Sequence, residues 1–178
     1  MFYPTDKIAI FIDGLSLWNS AKIHNVGVDY KKLHAEFRKR GKLTRAFYYT
    51  TMSDNEDFSP VRKLVDFLSY NGYVIRTQTI RENDSGTGLK KASSYMRMRM
   101  AMDAISLSDH LDHLILMSGD GELTPLVEEL QRRGVRVSVC AAMTPDEVII
   151  SDDLRRQADN FIEFGSIKDI IGMERRDG

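Results

Sequence analysis

Hydrophobic positions along the chain switch repeatedly between short continuous runs and a helical period. The runs KIAIFI (7–12), LTRAFYYT (43–50), YVIRTQ (73–78), HLILMS (113–118) and VRVSVCA (135–141) are rich in β-branched and aromatic residues and read as strands, with a weaker sixth at NFIEF (160–164). Between them, apolar residues recur at helical spacing over about 15–25, 30–40, 60–71, 92–107, 124–133 and 151–158. Ser59-Pro60 and Thr124-Pro125 each place a capping hydroxyl before proline, although Gly121 or Glu122 could begin the second turn instead. Asn71-Gly72 and Arg133-Gly134 read as helix stops. Strands alternating with helices predict a parallel sheet covered on both faces through right-handed crossovers, a three-layer α/β/α sandwich.

The stretch SYMRMRMAMDA, Ser94 to Ala104, fits both periods. Its alternating Met and Arg suit a strand, whereas Met, Arg and Ala all favour a helix. A strand at 95–103 would leave about ten residues before the strand at 113, too few for a parallel crossover. The spacing therefore predicts a helix. Met96, Met100, Ala104 and Leu107 would form one apolar stripe, and Met98, Ala101, Met102 and Ile105 an adjacent one facing the sheet. Arg99 and Asp103 would pair across one turn.

The length of 178 residues suits one domain, 1–178, with a core at about 7–165 and a C-terminal tail at about 166–178. No apolar run approaches the roughly 18 residues of a membrane span, and MFYPTDKIAIFIDG lacks the form of a signal peptide. The single Cys140 sits in an apolar run, which excludes an intrachain disulfide and suits a reducing cytoplasm. A net charge of −1 excludes a generally basic nucleic-acid binder but not a local basic patch. Such patches exist. Lys31, Lys32, Arg38, Lys39, Arg40, Lys42 and Arg45 form one, and Lys90, Lys91, Arg97 and Arg99 another. The first is equally explained as a solvated helix face.

In open parallel sheets, ligands bind beyond the carboxyl ends of the strands, where strand order reverses. Two strands end there in acids: IFIDGLSLW with Asp13, and LILMSGDGEL with Asp120 and Glu122. If those strands are neighbours, the three carboxylates converge. Clustered carboxylates need a cation, and an oxygen-rich set suits Mg²⁺ or Mn²⁺, which can activate water and stabilise an in-line phosphoryl transition state. Asp-Gly after a strand is also ordinary turn chemistry, and that reading stays open on pattern alone. Gly119-Asp120-Gly121 is similar to the distal loop of dehalogenase-type phosphatases, but they need an aspartate where Leu15 stands, which excludes them. His24, His34, His110 and His113 lack metal-ligand spacing, and Ser118 lacks a histidine partner.

The segments FIDGLSLW, AFYYT, FSPVRKLVDFLSYNGY, DHLILMSGDGEL, RRGVRVSV and DDLRRQADNFIEF, in this order over about 7–165, resemble the LabA-like NYN-domain family of the PIN-like nuclease superfamily. The resemblance implies a parallel sheet of order 3-2-1-4-5 and metal-dependent cleavage of RNA phosphodiesters, with carboxylates holding Mg²⁺ or Mn²⁺. It assigns Asp13, Asp120 and Glu122 as catalytic residues and metal ligands, with Asp103 as a further ligand. Ser16, Ser118, Arg97 and Lys91 become candidate substrate contacts, and RNA the expected partner, with a homodimer left open.

Several positions depart from the family pattern, among them Glu122, where a second aspartate is usual. Ser16 stands where an asparagine is usual, and Ser93-Ser94 where Lys-Gly is usual. Aligned on Asp103, Arg97 takes the place of an aspartate. Its cation could neutralise Asp13 and Asp120 in place of a metal, bind a substrate phosphate, or simply be solvated. One such pairing at about 4 Å and an effective dielectric near 20 is worth about 4 kcal/mol before desolvation. The expectation is a ribonuclease fold with an impaired metal site. The alternative is a non-catalytic RNA-binding or protein-interaction module. Asp103 lies six residues from Arg97, about 240° around a helix, so the two do not share one direction. Trp18, Tyr48 and Tyr49 could stack on bases or pack in the core, and TIRENDSGTGLKK (79–91) reads as a flap beside the site.

Overall fold

The computed structural model describes residues 1–53, 60–80 and 87–174. Six strands form the central sheet: β1 Lys7–Asp13, β2 Lys42–Ser53, β3 Val74–Ile80, β4 His113–Met117, β5 Arg136–Ala141 and β6 Asn160–Glu163. Every pairing in it is parallel, and the spatial order in these labels is 3-2-1-4-5-6. The expected order is thus present, extended at one edge by the weak sixth strand. Order reverses between β1 and β4, where Ile12 lies beside Met117.

The helices are α1 Gly14–Ile23, α2 Tyr30–Arg40, α3 Pro60–Ser69, α4 Thr87–Leu107, α5 Thr124–Arg132, α6 Asp152–Gln157 and α7 Lys168–Ile171. Side chains alternate across β1. Ile8, Ile10 and Ile12 pack with Leu17, Leu33, Phe37 and Leu68 of α1, α2 and α3. Ala9 and Phe11 pack with Met96, Met100, Leu126 and Leu154 of α4, α5 and α6. A strand buried on both faces must be apolar at every position, which is why KIAIFI reads as a run rather than an alternation. Among the described residues no helix is long and apolar enough to cross a membrane.

Several boundaries differ from the sequence expectations. Asp13 closes β1 rather than following it, and its carboxylate caps α1 by accepting from the Leu15 and Ser16 amides. A 3-10 turn, Gly121–Leu123, precedes α5, so Leu123 rather than a threonine is the cap. Gly72 and Gly134 adopt positive φ (84° and 82°) just past α3 and α5, as helix stops require. Ser59 and residues 81–86 of the expected flap lie outside the described residues, and the flap's flanks belong to β3 and α4. Residues 166–174 of the expected tail are also part of the fold, and 175–178 lie outside the described residues. Gly172–Met173 pairs antiparallel with Gly27–Val28, and Ile167 and Ile171 are buried.

One packing expectation is overturned. On α4 the buried row is Ala92, Met96, Met100 and Ala104, but Met98 and Met102 are 58% and 61% exposed. Two residues onward is about 200° around a helix, so these methionines stand opposite the buried row. Only Ala101 and Ile105 of that second stripe pack partly against the core.

Candidate functional site

The switch point between β1 and β4 gathers the first-strand and fourth-strand acids at one place. Asp13 Oδ1 accepts from Leu15 N at 3.2 Å and Ser16 N at 3.3 Å, while its Oδ2 accepts from Ser118 Oγ at 3.1 Å. Ser118 Oγ in turn accepts from Asp120 N at 3.2 Å, and Ser16 Oγ accepts from Gly119 N at 2.8 Å. The two serines therefore lock the turn after β1 to the turn after β4. Burial raises the Asp13 pKa above the usual carboxylate value, its own hydrogen bonds oppose the rise, and the neighbouring Asp120 charge adds to it.

Two glycines permit this approach. A Cβ on Gly14 would meet the Tyr48 hydroxyl at 2.6 Å, and one on Gly119 would meet the Ile149 carbonyl oxygen at 2.4 Å. Backbone cannot withdraw as a flexible side chain can, so Gly119 is the stricter requirement. The Asp120 carboxylate then caps its own turn by accepting from Glu122 N at 2.9 Å.

Arg97 reaches into this cluster from α4. Its Nη1 donates to Asp120 Oδ2 at 3.0 Å, and its Nη2 stands 2.7 Å from Glu122 Oε2 and donates to Ser94 Oγ at 3.1 Å. Glu122 is 69% exposed, so that half of the fork is screened by water and weaker than the half-buried pair with Asp120.

A divalent ion here would require carboxylate oxygens free to face one point. Both Asp13 oxygens are engaged by donors of the chain, and Asp120 offers Oδ2 to a guanidinium. Among the described residues no three His, Cys, Asp or Glu side chains are grouped to hold a metal. In this arrangement Arg97 faces Asp120 Oδ2, and Ser118 faces Asp13 Oδ2.

Asp103 stands apart from Asp13 and Asp120. It lies on the opposite flank of the buried α4 row from Arg97, where it accepts from Arg76 Nε at 2.8 Å, Arg76 Nη2 at 3.3 Å and Tyr49 Oη at 3.0 Å. The expected Arg99 partner is present but longer, at 3.6 Å. Arg76 was not singled out in the sequence, because nothing local in VIRTQ marks which distant acid it meets. Lys91 is exposed and lies outside the cavity that opens beside Asp13.

That cavity measures about 490 Å³ and is walled by α1, β2, α3, α4 and the turn before α5. Tyr48, Tyr49, Met96, Met100 and Leu123 form its buried floor. Asp13, Arg97 and Asp120 supply a polar edge, and Trp18 and Leu15 stand exposed at the rim. A sequence signal for that rim did exist. On α1, Leu17 and Ala21 make the buried row, while Leu15 and Trp18, three apart, make a second apolar row with no core to face.

The fold agrees with comparisons to known proteins. Low amplitude and bright protein LabA of Synechococcus elongatus (strain ATCC 33912 / PCC 7942 / FACHB-805) is 24% identical over 180 residues, covering 99% of this chain and 93% of LabA. A crystal structure of a Vibrio parahaemolyticus RIMD 2210633 protein of unknown function superposes with a TM-score of 0.72 at 25% identity, covering 95% of this chain and 97% of that one. The profile of the NYN domain matches residues 7–168, nearly the whole chain, and so the chain belongs to the NYN domain family.

Proposed function

We propose that this chain binds RNA at the carboxyl end of its sheet, and that Arg97 compensates the acidic turn where a divalent cation would otherwise stand. Phosphodiester cleavage is then weak or absent, and the protein acts by binding. One observation carries this reading, the Arg97 guanidinium bridging Asp120 at 3.0 Å and Glu122 at 2.7 Å. Membership of the NYN family supports RNA as the partner. At an effective dielectric near 20, the half-buried pair with Asp120 is worth about 4 kcal/mol before desolvation, enough to compete with a weakly held ion, and the exposed pair with Glu122 less.

The chain's own residues then do three things. Ser16 and Ser118 hold the two turns in register, Asp13, Asp120 and Glu122 set a negative edge, and Arg97 offsets one of its charges and offers a polyanion a donor there. An RNA phosphate can also exchange with Asp120 or Glu122 for the same guanidinium, since Arg presents two parallel donors to either group.

Calorimetry with Mn²⁺ on the wild type and on Arg97→Asp tests the compensation, paired with cleavage of end-labelled RNA. The expected result is feeble Mn²⁺ binding by the wild type and a gain of binding in the variant. Tight Mn²⁺ binding together with robust RNA cleavage by the wild type would sink the proposal. Binding of single-stranded RNA is expected to weaken as salt rises, because phosphate contacts release counterions.

A further inference from the structure

We propose that the cavity beside Asp13 is a nucleobase slot, which receives one unstacked base of a bound nucleotide against Trp18 and Tyr48 and leaves its phosphate at the Arg97 edge. This deepens the RNA reading above and rests on it for the natural ligand, though not for the slot itself.

Three observations point to this occupant. The cavity, about 490 Å³, is larger than a lone base and of the size that small-ligand sites adopt. Its lining is mostly apolar and aromatic, with charge confined to one edge, which is the division of a nucleotide into a flat base and an anionic phosphate. Its rim is also unusual for a monomer surface. Trp18 is 51% and Leu15 62% exposed, with Leu89 of α4 exposed across from them, so an apolar collar surrounds a buried floor.

Lys22, outside the cavity lining, holds its Nζ over the Trp18 ring, 5.1 Å from the centroid, so one face of the indole already carries a cation and a base is expected to stack on the other. Aromatic stacking tolerates any base because every base has a π-face, so the slot is expected to take all four. Tyr48 is held in place from below by Tyr30, whose ring meets it edge-on at 5.7 Å between centroids. The floor is therefore built before any ligand arrives.

Trp18 is the chain's single tryptophan, so its fluorescence reports this site alone. Titrations of the full chain with AMP, GMP, CMP and UMP are expected to change Trp18 emission saturably, whereas ribose 5-phosphate, which lacks the base, leaves it unchanged. Trp18→Ala and Leu89→Glu alter exposed positions, so thermal melts should show both variants folded. Trp18→Ala is expected to weaken single-stranded RNA roughly tenfold, within the range for loss of one aromatic stack, and Leu89→Glu to weaken it too by setting a carboxylate at the slot's rim. Equal responses to ribose 5-phosphate and AMP, or unchanged RNA affinity in both variants, overturn the slot. If RNA binds while the mononucleotides and both variants show no effect, the slot fails and the RNA reading stands. If mononucleotides bind saturably but RNA oligomers do not, the slot stands and the RNA reading fails.

Discussion

Asp13 is the residue on which opposing demands meet. Its position at the start of α1 favours a charge, through the Leu15 and Ser16 amides, yet burial and Asp120 disfavour one. Burial wins, and the pKa rises above 3.8. The folded state therefore holds this proton more tightly than the unfolded chain. Stability from this group is present below 3.8 and is lost as pH climbs through the folded value. Asp13→Asn keeps a capping oxygen, since asparagine caps helices as well as aspartate does. Urea denaturation should find the variant more stable than wild type at neutral pH, with the difference shrinking as pH falls toward 3.8 and levelling off below it. A variant less stable at neutral pH would mean that the carboxylate's charge is needed structurally.

At the scale of elements, α4 shows what the sequence reveals and what it hides. Helix over strand followed from chain length alone, and the row 92, 96, 100, 104 is visible as an exact repeat of four. Which flank meets which neighbour was not visible, because that depends on where the sheet edge and α5 lie. Met98 and Met102 therefore read as core although they face solvent. Arg76, on β3, meets Asp103 across 27 residues of sequence for the same reason. Asp13 and Asp120 were legible because each stands at or just past the carboxyl end of a strand that the hydrophobic pattern already located. Met98→Lys and Met102→Glu should each change stability by less than about 0.5 kcal/mol in chemical denaturation, as ordinary surface substitutions do. Met100→Ala, in the buried row, should cost about 2–5 kcal/mol. Asp103→Asn weakens the charge-assisted bonds to Arg76 and should cost about 1–3 kcal/mol, while leaving Mn²⁺ binding measured by calorimetry unchanged. A change in Mn²⁺ affinity would return Asp103 to the metal site that the family resemblance assigns it.

Across the whole molecule, the two ends of the sheet do different work. The carboxyl ends carry the acids, Arg97 and the cavity, while the amino ends close the fold. There His113 opens β4 fully buried, its Nε2 2.8 Å from Ser138 Oγ and its ring 4.9 Å from that of Phe2. Nδ1 has no partner. Burial, with help from the Arg136 charge, lowers the His113 pKa from 6.5 to about 4. The sign is opposite to that at Asp13. The unfolded chain takes up this proton near 6.5 and the folded one does not, so stability is present above 6.5 and lost as pH falls toward about 4. The slope within that window is about 1.4 kcal/mol per pH unit, to which His34, also lowered by burial and by Arg38, adds in the same direction. His113→Phe removes the titration and the orphan nitrogen while keeping a ring against Phe2. Whatever its stability at neutral pH, denaturation midpoints between 6.5 and about 4 should fall less steeply than in the wild type. Because His113 and the acidic turn lie at opposite ends of β4, RNA affinity at neutral pH should be the same in both proteins. A variant that kept the full slope would assign acid sensitivity elsewhere, and one that lost RNA binding would show that the two ends are coupled through the strand.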